Sequence, residues 1–438
     1  MENSFYHDFT SISATEQVEK IIQDIGGEEY LEGLSWITPE GFQLQPIFHR
    51  DEAKSNSSFT ATKVPWKLAQ YIQFAALETT LDRINNALAN EVEVLYLEVG
   101  NYEHIIPKVV EVLKGRTIEA FFFFTTSPKN DVLYALQQLT NVCIFYDVFG
   151  QYVSRGEWIE NEEKDLLQLK ELNQQLTSPT FFVDASIYAN AGGNSIQQIG
   201  YTLLHLNEYL TYLEHLKNHN AVNLTIKIAQ GGTYFMEIAK SIALRALVNT
   251  IAKEYDFPVS IQIIAEPQQR NKSRVDYNTN LLRSSSEMMS AILGDADVVM
   301  NHPYDLRFNL PNPFSDRLAR NQLLILKHES YFDRLPNVTQ GSYFIEALVE
   351  DIKRASWALF LKHEACGGWL CQVQNNTIQN EIYHSREKEQ SRIDQGLDTV
   401  VGVNKYFDEN ALSAPEIKKK VTKESTSIMP IQLVYTTA

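Results

Sequence analysis

Residues 181–213 read FFVDASIYANAGGNSIQQIGYTLLHLNEYLTYL. The stretch opens on β-branched and aromatic residues, turns through Ala189-Asn190-Ala191-Gly192-Gly193, and continues with apolar residues every three or four positions. This is the pattern of a strand, a loop and a helix. The unit recurs on both sides: apolar runs followed by amphipathic stretches begin at Val92, Ile118, Val142, Leu224, Val259 and Val298, and a weaker one follows Asp333. Strand-helix pairs in series form a parallel sheet covered by helices, so the chain is expected to be α/β, a closed (β/α)8 TIM barrel. In such a barrel the loops leaving the carboxyl ends of the strands carry ligand chemistry, which puts Asp184 to Asn194 at the mouth.

The 438 residues suffice for one barrel with terminal extensions. Three divisions are expected: an N-terminal arm and extended segment (1–60), the barrel (61–372), and a C-terminal helical extension with a polar tail (373–438). An acidic amphipathic helix spans Glu16 to Ile25 and stops at Gly26-Gly27, and Trp66 is read as opening a helix that runs through Leu88. With 44% hydrophobic and 21% charged residues, composition is that of a globular protein. The apolar runs fall short of the roughly 18 residues that cross a bilayer, and no secretory pattern opens the chain, so a cytoplasmic protein without membrane contact is expected. A net charge of −17 opposes a phosphate backbone and argues against nucleic acid. Cys143, Cys366 and Cys371 read as free thiols, the alternative being a Cys366–Cys371 redox pair. No metal site is expected: His302 and His328 are the histidines placed to act as ligands, and scattered polar residues are the plainer reading.

Phe121 to Phe124 place aromatic bulk in one strand, with two rings on each face. Rings that fill the bore would leave no room for a substrate threaded along the axis.

A set of short motifs resembles the acyl-CoA-binding barrel of the methylmalonyl-CoA mutase family. In order they are Thr38-Pro39-Glu40-Gly41, Pro65-Trp66 with Gln70, Ala191-Gly192-Gly193, Tyr234 to Lys240 with Arg245, and Asp276 with Asn280 and Arg283. Ala319-Arg320-Asn321, Gly341-Ser342-Tyr343, Trp357-Ala358-Leu359 and Gly402-Val403-Asn404-Lys405-Tyr406 follow. The resemblance implies carbon-skeleton isomerisation between succinyl-CoA and methylmalonyl-CoA, in which adenosylcobalamin supplies the radical.

Two departures from the family shape the expectation. Aligned on Ala191-Gly192, the position of the family's donor histidine falls on Ile187 in Ala185-Ser186-Ile187, and its stacking tyrosine falls near Ala61. Asp147-Val148-Phe149-Gly150 stands where a Thr-Xaa-Gln-Asn-Asp stretch is expected. Ala61, Ser186 and Ile187 are thus degenerate positions, and loss of several donors abolishes such chemistry. Tyr188 and Asn190 are the residues that would substitute. The family's cobalt-binding loop has a histidine two residues after an aspartate, and none of the ten histidines here follows that rule. The roughly thirty residues after Tyr406 are also too few for a cobalamin domain.

The resemblance therefore implies a small, non-catalytic subunit. It would bind no cofactor itself and would pair as a heterodimer with a large subunit carrying adenosylcobalamin, with a homodimer possible alone. Two alternatives stand beside it: a barrel active with a separate cobalamin-binding chain, and a stand-alone acyl-CoA-binding or scaffold protein. Tyr188, Asn190, Asp276, Arg283 and Ser285 are the candidate acyl-CoA-lining residues, with Asp276 and Arg283 alternatively a structural pair.

Overall fold

The computed structural model describes residues 10–52, 65–176, 180–216, 221–274, 276–310, 312–334 and 338–406. Eight parallel strands form the barrel: β1 (Lys67–Gln73), β2 (Val94–Glu98), β3 (Glu119–Phe124), β4 (Val142–Tyr146), β5 (Thr180–Asp184), β6 (Val222–Gln230), β7 (Val259–Pro267) and β8 (Val298–Asn301). Their hydrogen-bonded order is β4-β3-β2-β1-β8-β7-β6-β5, so β1 and β8 pair and β4 and β5 are the two ends of the sheet. Side chains bridge that seam. Asp147, just past β4, accepts the Asp184 amide at 2.7 Å, and Phe145 stacks on Phe182 with centroids 4.5 Å apart.

Seven of the expected strand positions hold, and the eighth is corrected. Residues 67–73 form the first strand, with Ala69 opposite Val94 and Val298 opposite Lys67. The helix read from Trp66 begins only at Leu77. The described residues between Asp333 and Tyr343 form turns and bends rather than a strand. The error has a physical cause. Gln70 faces the helical shell, where its side-chain oxygen accepts from Arg320 Nη1 at 2.9 Å, so a buried polar residue breaks the apolar alternation of β1.

The loop after β5 obeys its local chemistry. A short helix (Ser186–Ala191) ends at Gly192, whose φ of 108° suits glycine. Asn194 then caps the helix Ser195–His215 in a capping box with Gln197. A Cβ on Gly192 would lie 2.7 Å from Arg386 Cβ, so the glycine also admits the C-terminal helix Thr377–Asp394. That helix is fastened where Tyr201 donates to Glu381 at 2.5 Å and where Arg270 pairs with Glu389 at 2.7 Å. Outside the barrel, Arg83 and Asp316 form a buried two-point ion pair at 2.6 and 3.0 Å, which ties the first outer helix to the helix Pro313–His328.

At the N-terminus, the helix Ala14–Ile25 has the Ser13/Glu16 capping box and ends on left-handed Gly26, and none of its residues is buried. A two-stranded hairpin follows, Trp36–Ile37 against Gln43–Leu44. No helix among the described residues is long and apolar enough to cross a membrane.

Candidate functional site

Strand alternation sorts residues between the bore and the shell. Ala69, Tyr71, Val94, Tyr96, Phe121, Phe123, Phe145, Phe182, Ile264, Val298 and Met300 form a buried cluster of their own inside the barrel. Phe122 and Phe124 join the outer core instead. Ring contacts cross the bore without a break. Tyr71 meets Tyr96 at 6.3 Å, Tyr96 meets Phe123 at 6.3 Å, Phe123 meets Phe182 at 5.6 Å, and Phe121 meets Phe145 at 5.1 Å.

Above these rings, at the carboxyl ends of the strands, lies a buried ionic layer. Lys227 of β6 sits 3.0 Å from Asp184 of β5 and 3.5 Å from Glu266 of β7. Glu266 also contacts His302 Nε2 at 3.0 Å, and Ser186 donates to Asp184 at 2.5 Å. Across the mouth, Tyr71 donates to Glu98 at 2.5 Å, and the His302 ring stands edge-on to Tyr71 at 4.7 Å. The Lys227 ammonium lies over the Tyr96 and Phe123 rings at 5.6 and 5.7 Å.

The titrations follow from this packing. Burial by itself depresses the Lys227 ammonium, but Asp184 and Glu266 outweigh it and hold the group well above the usual lysine range. Burial raises Asp184 above its ordinary value against the pull of Lys227. Burial pushes Glu266 the same way, yet Lys227 and His302 prevail and bring it down to about 2. Lys227 and Glu266 are therefore charged at neutral pH, and their mutual attraction is satisfied within the protein.

The residues expected from the sequence fall in different places. Ser186 belongs to the ionic layer. Ile187 is buried in the outer core, where its side chain donates no hydrogen bond. Tyr188 is fully buried in that shell: its hydroxyl accepts from Trp369 Nε1 at 2.7 Å and lies 3.2 Å from His205 Nδ1. His205 Nε2 in turn is 3.0 Å from Asp147, which also accepts from Tyr209 at 2.7 Å and from the Gly150 amide at 2.8 Å. Burial alone would raise Asp147, but the His205 imidazole and these donors hold it below the ordinary range. The Asp147–His205–Tyr188 chain has the composition of a proton relay. Each member is fully enclosed, and the chain joins the ends of β4 and β5 to Trp369 near the C-terminus.

Asn190 accepts the Gln269 amide at 2.8 Å and so clamps the β5 loop to the β7 loop. Arg283 donates to Thr279, to Asn280 and to the Val401 carbonyl, while Ser285 donates to Leu281 O and accepts from Gln322. Asp276 packs against Gly402, where a Cβ would meet its Oδ2 at 2.5 Å. Arg283 and Asp276 thus meet the Val401–Tyr406 segment, and Ser285 ties the helix Thr279–Leu293 to Gln322 of the helix Pro313–His328, with none of the three in the bore cluster. Ala61 lies outside the described residues. His328 is exposed and contacts Glu91 at 2.8 Å. Among the described residues no cluster of ligating side chains fits a metal ion.

Sequence reasoning missed Lys227, Glu266 and Glu98. A signal was present: in LTIKIAQ and VSIQIIAE one charge interrupts an apolar strand at the parity that faces the bore.

Comparison with known proteins gives the same lineage as the motifs. Residues 121–430 match the family model described as methylmalonyl-CoA mutase. The methylmalonyl-CoA mutase small subunit of Porphyromonas gingivalis is 27% identical over 92% of this chain and 71% of its own length. The methylmalonyl-CoA mutase of Rhizobium meliloti is 32% identical over 86% of this chain, which spans 62% of that protein. Among solved structures, a dihydropteroate synthase from Burkholderia cenocepacia aligns over 68% of this chain and 98% of its own, at 11% identity and a TM-score of 0.34. With a matched span that takes in six of the eight strands, β3 to β8, and the C-terminal helices, and with the motifs from Ala191 to Tyr406 inside it, this chain belongs to the methylmalonyl-CoA mutase family.

Proposed function

We propose that this chain is the small, non-catalytic subunit of an adenosylcobalamin-dependent methylmalonyl-CoA mutase, and that it acts by stabilising the catalytic large subunit. The observation that carries this reading is the filled bore. An acyl-CoA threaded along the axis would have to displace the Phe145–Phe182 stack and the Lys227 layer above it. Opening the ionic layer leaves buried charges unpaired, at a cost of about 3–5 kcal/mol.

The residues present do not fit adenosylcobalamin at this mouth. No histidine follows an aspartate by two residues, and the buried polar groups above the rings are engaged with each other. The cofactor therefore belongs, in this reading, to the partner. The aromatic fill equally disfavours a barrel made active by a separate cobalamin-binding chain.

The N-terminal arm supports a protein partner. Ile12, Tyr30, Leu34, Trp36 and Ile37 are all exposed within residues 12–37. A 1:1 heterodimer in the cytoplasm, where Cys143, Cys366 and Cys371 stay as free thiols, fits this arm and the thiol state.

The test is mutase turnover with methylmalonyl-CoA and adenosylcobalamin, on this chain alone and on this chain co-expressed with a mutase large subunit. Activity only in the mixture, unchanged by Ser186→Ala in this chain, is the expected result. Turnover by this barrel supplied with just a separate cobalamin-binding domain would overturn the reading.

A further inference from the structure

The N-terminal arm carries two helices that bury no residue. The helix Ala14–Ile25 sets Ala14, Val18, Ile21, Ile22 and Ile25 along one stripe, and the helix Glu28–Leu34 follows the Gly26-Gly27 turn. An apolar stripe of this kind holds a helix in place by packing against something. Here Val18 is exposed, and Tyr30, Leu34, Trp36 and Ile37 are each more than half exposed.

These residues stand at a defined place beside the barrel. The Ala14 amide donates to Asp51 Oδ2 at 3.2 Å, which ties the start of the first helix to the end of the arm. Phe48 meets the edge of Phe344 at 5.4 Å, Thr38 is buried, and Lys388 Nζ donates to Pro39 O at 3.5 Å.

The rim of this face is acidic. Residues 14–34 hold Glu16, Glu19, Asp24, Glu28, Glu29 and Glu32 against a single cation, Lys20. Asp24 takes Lys20 at 2.5 Å, and Glu16 closes the capping box on Ser13. Glu28 and Glu29 lie in the first turn of their helix, where negative charge favours the open amides. Glu19 and Glu32 have no such local role, and the stretch has no second cation for them. Acids on a helix are ordinarily a solvated face. A solvated face does not also present a tryptophan, a tyrosine, a leucine and an isoleucine to water.

Charge selects the occupant. A second copy would bring the same acidic rim and a net charge of −17 to the contact, and like charges set opposite one another oppose association. We propose that residues 12–37 dock in an apolar groove of a different protein chain, bordered by lysine and arginine side chains that face Glu19, Glu28, Glu29 and Glu32. The inference rests on the reading of this chain as a mutase small subunit and adds the chemistry of the partner's surface. The acids set how fast the complex forms, and the apolar residues set how long it lasts.

The test is association of the full chain with a methylmalonyl-CoA mutase large subunit, followed by surface plasmon resonance. Between about 50 and about 500 mM sodium chloride the association rate should fall at least about tenfold. Glu19→Gln/Glu28→Gln/Glu29→Gln/Glu32→Gln should associate about tenfold more slowly at the lower salt and lose most of the salt dependence, with dissociation within about twofold of the parent. Tyr30→Ser/Leu34→Ser should dissociate at least about tenfold faster with association nearly unchanged. Each variant should share the unfolding midpoint of the isolated parent, because the replaced side chains are exposed, and the salt series on the parent needs no variant at all. A complex whose association ignores both salt and the glutamines overturns this inference and leaves the subunit reading standing. No complex at either salt overturns the subunit reading and this inference with it. Dimerisation of the isolated chain that Tyr30→Ser/Leu34→Ser abolishes assigns the face to a second copy. Faster association in Lys418→Gln/Lys419→Gln/Lys420→Gln assigns it to the chain's own basic run, and either result overturns the proposal.

Discussion

Lys227→Met tests whether the ionic layer is a closed structural device. The substitution keeps a flexible apolar stem beneath the Tyr96 and Phe123 rings and deletes the ammonium 3.0 Å from Asp184 and 3.5 Å from Glu266. Two buried carboxylates are then left facing one another. Removing one partner of a buried pair costs about 3–5 kcal/mol. A second route gives a similar size. Glu266 falls from 4.5 to about 2 in the folded chain, which at 1.36 kcal/mol per pKa unit corresponds to about 3 kcal/mol.

The sign with pH follows. Glu266, with its folded pKa depressed, contributes stability above its unfolded pKa of 4.5 and loses it as pH falls toward 2. Asp184, raised by burial, works in the opposite sense: its contribution is present below its unfolded pKa of 3.8 and is lost as pH rises through the folded value. In Lys227→Met the two acids share a proton, so at least one folded pKa rises above the unfolded value. The variant's deficit should therefore be largest near pH 7 and shrink by at least about 1 kcal/mol near pH 5. Urea unfolding followed by far-ultraviolet circular dichroism at both pH values measures it. Adding Asp184→Asn and Glu266→Gln to the variant should recover most of the loss. Unchanged stability near pH 7, or an equal loss at both pH values, would refute the reasoning.

Other expected outcomes are independent of this layer. Phe182→Ala removes the ring stacked on Phe145 in the middle of the bore and should cost about 3–5 kcal/mol in urea unfolding without creating mutase turnover. Arg83→Ala strands Asp316 in a buried site and should cost a similar amount, about 3–5 kcal/mol, read by the same assay. Gly192→Ala combines a φ of 108° with a 2.7 Å approach to Arg386 Cβ, so a loss of more than about 1 kcal/mol is expected, with faster proteolysis within residues 377–394. In the arm, Trp36→Glu with Ile37→Glu should leave the unfolding midpoint of the isolated chain unchanged and weaken copurification with a mutase large subunit, because both side chains are more than half exposed.

The sequence by itself determined the repeating strand-helix architecture and the family. Seven apolar runs with strand composition, each followed by a 3.6-residue periodicity, leave few arrangements other than a parallel barrel. Local rules also determined the turn after β5, since Gly192 and the Asn194/Gln197 capping box act within a few residues of themselves. What depended on distant partners was not legible. The strand at 67–73 was hidden because Gln70 is matched to Arg320, 250 positions away. Asp147 and Tyr188 looked like loop and site residues, and only packing joined them through His205 and Trp369 into one enclosed chain. Alternation alone put two of the four rings of Phe121 to Phe124 inward, and the structure shows that these are Phe121 and Phe123. Whether they fill a core or line a passage rested on Phe145, Phe182 and the Lys227 layer, contributed by strands far apart in sequence. Periodicity is a property of neighbours along the chain, whereas a sealed bore is a property of eight strands meeting across it, and only the tertiary structure decides that.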